Sequence, residues 1–85
     1  DITKGVKVMN NQTDFIFEPN ANKLSGEFYC ELPNGIEILL NASRFTLEES
    51  ASDGSKIFIS SDVGGYDAKV TFLADGSQFG DIIFY

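Results

Sequence analysis

The sequence predicts an all-β domain, an antiparallel two-sheet sandwich of roughly six to eight short strands. Three observations carry this. Apolar and polar residues alternate in short runs, the period of a half-buried strand. Turn signals such as Asn34-Gly35, Asp53-Gly54 and Asp75-Gly76 separate those runs. No stretch sustains a helical period.

Taken in order, Gly5-Val6-Lys7-Val8-Met9 alternates and reads as a first strand, ended by the polar Asn10-Asn11-Gln12. Residues 13–18 (TDFIFE) read as a second, with Phe15 and Phe17 on one face. Pro19-Asn20-Ala21-Asn22 stops it, because Pro lacks the ladder donor and Asn tolerates turn geometry.

Residues 27–32 give the cleanest alternation. Phe28, Cys30 and Leu32 point to a core; Glu27, Tyr29 and Glu31 point to water. Pro33-Asn34-Gly35 then reverses direction, and Ile36, Ile38 and Leu40 continue the inward stripe on the partner strand. Asn-Gly between alternating runs is the strongest short-range hairpin signal.

Residues 44–48 alternate with Phe45 and Leu47 inward; a short helix capped by Asn41 and running through Leu47 is the alternative. Asp53-Gly54 turns into residues 56–61, where Ile57 and Ile59 share a face. Asp62-Val63-Gly64-Gly65-Tyr66-Asp67 reads as a flexible loop before a terminal hairpin. In that hairpin Val70 and Phe72 alternate with Thr71 and Leu73, and Ala74-Asp75-Gly76-Ser77 turns. The closing residues 82–85 are apolar at every position, as in a strand covered on both faces.

The 85 residues make one domain, 1–85, with no internal repeat or linker. Thirteen acids against six bases leave a net charge of −7. Phosphate backbones bind through clustered Lys and Arg, so this balance argues against nucleic acid and against anionic lipid. Histidine is absent, which removes the commonest proton-transfer group near neutral pH and a favoured metal ligand. One cysteine allows no internal disulfide and no thiolate cluster. Its inward position makes Cys30 a buried, inert thiol. No run approaches the ~20 apolar residues that span a bilayer. The sequence opens at Asp1-Ile2-Thr3 without an initiator Met, so a processed protein or an excised segment is expected.

Asp53, Asp62, Asp67, Asp75 and Asp81 all lie in or near turns. Loop carboxylates can gather Ca²⁺, but the spacing matches no calcium loop, and Asp is also a favoured turn residue. Glu27 with Glu31, or Glu48 with Glu49, could serve as paired glycosidase acids; on wet strand faces they read as solvated surface. No G-x-S-x-G elbow occurs, and Gly64-Gly65 lacks the Lys and following helix of a phosphate loop. Asn11-Gln12-Thr13 and Asn41-Ala42-Ser43 fit the N-glycosylation triplet, which matters only in a eukaryotic secretory route. Tyr29, Tyr66 and Phe79 are candidate exposed aromatics, able to anchor a sugar or a protein. No catalytic, cofactor-binding or metal residue is assigned, and the domain is expected not to be an enzyme.

Four segments in order carry a family likeness: Gly5-Val6-Lys7-Val8 followed by Asp14-Phe15-Ile16-Phe17-Glu18-Pro19-Asn20; Glu31-Leu32-Pro33-Asn34-Gly35-Ile36-Glu37-Ile38; Val70-Thr71-Phe72-Leu73-Ala74-Asp75-Gly76-Ser77; and Gly80-Asp81-Ile82 with the closing apolar run. With them the protein resembles the C-terminal globular domain of type IV pilin-like proteins, in particular the H-type minor pseudopilins of type II secretion and the FimT-like minor pilins. Ala74 stands where the family commonly has Pro. The family's N-terminal helix, part of which lies in the membrane, is not among residues 1–85.

The resemblance implies a non-enzymatic subunit of a periplasmic pseudopilus or pilus-like fibre that takes part in protein export. It implies a full-length protein anchored in the bacterial inner membrane by that helix alone. The partners would be other pseudopilin or pilin subunits, with no cofactor and no nucleic acid. The alternative is a carbohydrate- or protein-binding β-sandwich module of a secreted or surface protein.

Overall fold

The computed structural model describes residues 12–85, and the strand expected at residues 5–9 lies outside them. The described residues are all-β and antiparallel, with eight strands and no α-helix. The strands are β1 (Ile16–Glu18), β2 (Lys23–Ser25), β3 (Glu27–Glu31), β4 (Glu37–Asn41), β5 (Thr46–Ser50), β6 (Lys56–Val63), β7 (Tyr66–Phe72) and β8 (Gln78–Phe84). They form two two-stranded ribbons, β1–β2 and β3–β4, and one four-stranded sheet in the order β5-β6-β7-β8. The layer facing the sheet is thus divided in two rather than continuous.

The sheet is a meander, each strand pairing with its neighbour in sequence. Its inner face carries Phe58 and Ser60 from β6, Ala68, Val70 and Phe72 from β7, and Ile82 from β8, all buried. The first ribbon closes on it through one aromatic. The Phe17 ring centroid lies 5.6 Å from both Phe58 and Phe72. Its cross-strand partner Leu24 is buried beside it. The second ribbon adds Phe28, Cys30, Ile38 and Leu40 to the same cluster. Phe15 bridges the ribbons, 5.2 Å from Phe28 and 5.4 Å from Phe45. Each buried Phe contributes about 1.5–3 kcal/mol of transfer free energy, so this shared aromatic cluster is what joins three separately hydrogen-bonded sheets.

Three reversals have the same chemistry. In each, an outer pair of residues is tied by one backbone bond, as in Leu32 N to Ile36 O (2.8 Å), Ala51 N to Ser55 O (2.8 Å) and Leu73 N to Ser77 O (2.7 Å). In each, the glycine amide donates back to the first residue, and the glycine takes positive φ: +87° at Gly35, +91° at Gly54 and +94° at Gly76. An L residue is strained there, which is why Asn-Gly and Asp-Gly recur. The residue before each glycine accepts from the amide beyond it: Asn34 Oδ1 from Ile36 N, Asp53 Oδ1 from Ser55 N, and Asp75 Oδ1 from Ser77 N.

Several expectations need correction. The Gly64-Gly65 stretch is not a flexible loop. Val63 pairs with Tyr66, and both glycines have positive φ (+57° and +92°), as a two-residue primed hairpin turn requires. The polar Ser61-Asp62 hides this in the sequence, because β6 runs on through them. Residues 82–85 are not covered on both faces. Ile82 is 2% exposed and Phe84 half-buried, but Ile83 is 48% and Tyr85 64% exposed. The cause is that the described core lies on one face of the four-stranded sheet, so alternate residues of β8 turn away from it. Arg44 belongs to a short 3-10 turn, Ala42–Arg44, whose cap is Asn41 accepting from Ser43 N at 2.9 Å. The capping reading and the strand reading therefore each hold for part of the segment. Phe45 is buried as expected, but Leu47 stands opposite Phe58 at the sheet margin and stays exposed. Ile36 is exposed too, lying in the turn before β4 rather than within it.

Candidate interaction surfaces

The candidate residues scatter. Asp53 and Asp75 each close their own turn, accepting from the serine amide two residues on at 2.9 Å and from its hydroxyl at 2.6 Å. These bonds, the serine hydroxyl first, hold both carboxyls below the ordinary carboxylate range. The two turns are neighbours: a Cβ added at Gly54 would come within 2.7 Å of the Ala74 Cβ. Even so, among the described residues no three His, Cys, Asp or Glu side groups gather in a way that could hold a metal ion. Asp62, Asp67 and Asp81 are exposed on separate elements. Turn chemistry accounts for Asp53 and Asp75 without a ligand.

The acid pairs do not meet across a cleft. Glu27, Glu31, Glu48 and Glu49 are all exposed, and Glu27 accepts from the Asn41 amide at 3.3 Å. Cys30 is buried, and burial first, then the neighbouring Glu31 charge, pushes its thiol pKa up. A protonated, buried thiol is a poor nucleophile. A cavity of about 170 Å³ opens where β4 meets the β6–β7 turn. Ile38, Leu40 and Val63 give it apolar walls, and Asn41, Arg44 and Asp62 give it polar atoms. It is well below the ~300–1,000 Å³ typical of small-molecule sites.

What the fold does assemble is apolar surface. On the outer face of the four-stranded sheet, Ile83 lies opposite Lys69 and Phe79 opposite Thr71. Across β7, those two residues stand opposite Ile59 and Ile57, both half-buried. Phe79 and Tyr85 are more than 60% exposed (62% and 64%). A second patch lies on the outer face of the β3–β4 ribbon, where Tyr29 (70% exposed) stands opposite Leu39. Tyr29 and Phe79 are therefore exposed as the sequence suggests. Tyr66 is not: it packs 6.5 Å from Phe84 and is half-buried. Ile83 and Tyr85 are surface residues that the sequence conceals, because an apolar residue in an apolar run reads as core until the covered face is known. Alternation from the turn outward marks Leu39, since Leu40 must then point in.

Asn41 of the second glycosylation triplet is exposed, with its amide engaged by Ser43 N and Glu27. Asn11 of the first lies outside the described residues. No family model, curated protein or solved structure matches this protein.

Proposed function

We propose that this domain is a structural subunit of a fibre, a minor pseudopilin of a type II secretion pseudopilus or of a type IV pilus-like assembly. The observation that carries the reading is the pair of outward apolar patches, Phe79 with Ile83 and Tyr85 on the sheet and Tyr29 with Leu39 on the ribbon. Aromatic residues exposed on two different faces suit a subunit that contacts more than one neighbour. The order of the four motif segments supports the same reading. The acidic balance, −7 overall, fits a protein partner better than a nucleic acid. In this reading the domain does no chemistry; its work is contact, and export of folded proteins is the work of the assembly.

The test has two arms. In the parent gene, the sequence upstream of Asp1 should encode a short basic leader and then about twenty apolar residues, the length that spans a bilayer. In cells, a photo-crosslinking residue at Phe79 or Tyr29 should trap pilin-like subunits. A signal peptide followed by unrelated domains, with no pilin-like crosslink, would sink the proposal. The carbohydrate-binding alternative draws on the exposed aromatics Tyr29 and Phe79, and clear binding on a glycan array would favour it.

A further inference from the structure

The three like-built turns differ in one chemical respect. Those at Asp53 and Asp75 carry a carboxylate, locked by two bonds each from Ser55 and Ser77. The third carries the neutral amide Asn34, held by a single bond from Ile36 N at 3.0 Å. Position 36 is Ile, so there is no hydroxyl to supply a second bond. Asn34 and Gly35 are both exposed, and nothing stands within 4 Å of where a Gly35 Cβ would be.

We propose that Asn34 is a site of spontaneous covalent modification, in which the Gly35 backbone nitrogen attacks the Asn34 carboxamide carbon. The Gly35 N–H gives its proton to solvent base, and the nitrogen forms a bond to Asn34 Cγ. The Cγ–Nδ2 bond of Asn34 breaks, and its nitrogen leaves as ammonia, taking up a proton. A five-membered imide remains, and water opens it at either carbonyl to give aspartate or isoaspartate. Water is the sole co-reactant, and nothing is oxidised or reduced.

The structure favours this residue on three counts. The bond that Asn34 Oδ1 accepts from Ile36 N draws electron density from Cγ, the atom attacked. The same bond folds the Asn34 amide back over Gly35. Glycine presents no Cβ to obstruct ring closure. The opposing feature is the bond from Gly35 N to Leu32 O at 2.8 Å, which must open first. An exposed turn tip is where such a bond opens most readily. The two Asp-Gly turns should convert more slowly than Asn34-Gly35, because an ionised carboxylate is a poorer electrophile than a carboxamide.

The test incubates the folded protein at neutral and mildly alkaline pH. It follows isoelectric focusing, peptide mass mapping and enzymatic isoaspartate detection. The expected product is one charge more negative than the native −7. The amide-to-acid mass change should map to Asn34 before any other asparagine, with isoaspartate present and a rate that rises with pH. Asn34→Asp provides the charge standard. Gly35→Ala should slow the conversion, and because that variant strains the turn, the wild-type comparison in urea serves as an independent reference. If Asn34 converts in urea but stays intact in the folded protein, the Leu32 bond protects it and the proposal falls. Earlier conversion at any of the other five asparagines, Asn10, Asn11, Asn20, Asn22 or Asn41, overturns it as well.

Discussion

The two outer strands of the four-stranded sheet, β5 and β8, occupy equivalent places and are built by opposite rules. Every residue of β5 is exposed, two of its five are glutamates, and its pairing shifts register between Leu47 and Glu49. Charge and a bulge are the usual defences of a sheet edge against pairing with another molecule. Strand β8 also pairs with a register shift, between Lys69 and Thr71 on its partner, with Gly80 at positive φ. But it sends Ile82 into the core and turns Ile83 and Phe79 outward. One edge is finished surface. The other is part core and part candidate contact. A strand's place in the sheet order therefore does not decide what it contributes; the identity of its inward residues does.

The largest expected effects lie where β7 and β8 reach the core. Phe72→Ala and Ile82→Ala should each cost about 2–5 kcal/mol, the range for large-to-small changes at sites that cannot collapse. Chemical denaturation reads this directly, and a loss as small as that of a β5 substitution would erase the contrast. Next comes the β6–β7 turn, where the sheet meets the second ribbon. A Cβ at Gly64, where φ is +57°, would collide with Leu32 Cδ1. Gly64→Ala should lose about 1–3 kcal/mol, the scale of overpacking; the midpoint of urea unfolding would show it, and an unchanged midpoint would mean Leu32 moves aside freely.

A third effect depends on pH. Asp53 and Asp75 have folded pKa values lowered by their serine bonds, so each adds stability that is present above the unfolded carboxylate value. That contribution fades as pH falls through the folded values. Ser55→Ala with Ser77→Ala should flatten part of the acid limb of a stability–pH profile, since the hydroxyl bond, the first cause of each lowered pKa, is lost while the backbone N–H bond to each carboxylate remains. A profile whose acid limb matches wild type would refute the assignment. The smallest effect belongs to the outer face: Ile83→Ala should stay within about 0.5 kcal/mol, as for most surface sites. The same substitution should weaken crosslinking to a neighbour, which separates contact from stability.

Much of the fold is legible in the residues. The β3–β4 hairpin follows from Asn34-Gly35 between two alternating runs, and both Asp-Gly turns fall where their composition puts them. Strand β2 is not legible, because three residues, Lys23, Leu24 and Ser25, are too few to show a period. Its identity as a strand comes from pairing with β1, a tertiary fact. The 82–85 run misleads for a related reason. Four apolar residues in succession do not say which side will be covered, and that depends on where the ribbons land. The same ambiguity hides the surfaces. Exposed aromatics at Tyr29 and Phe79 can be read from the alternation around them, whereas Ile83 and Tyr85 need the sheet order.

The meander also has a consequence in time. Pairings β5–β6, β6–β7 and β7–β8 each join strands adjacent in sequence, so the sheet can grow by hairpins with short loops to close. Phe17 must then reach Phe58 and Phe72 across more than half of the described residues. Low sequence separation favours fast steps and high separation slow ones. The order this implies is a sheet assembled early and an aromatic keystone set last, so that replacing Phe17 would quicken unfolding far more than it slowed folding.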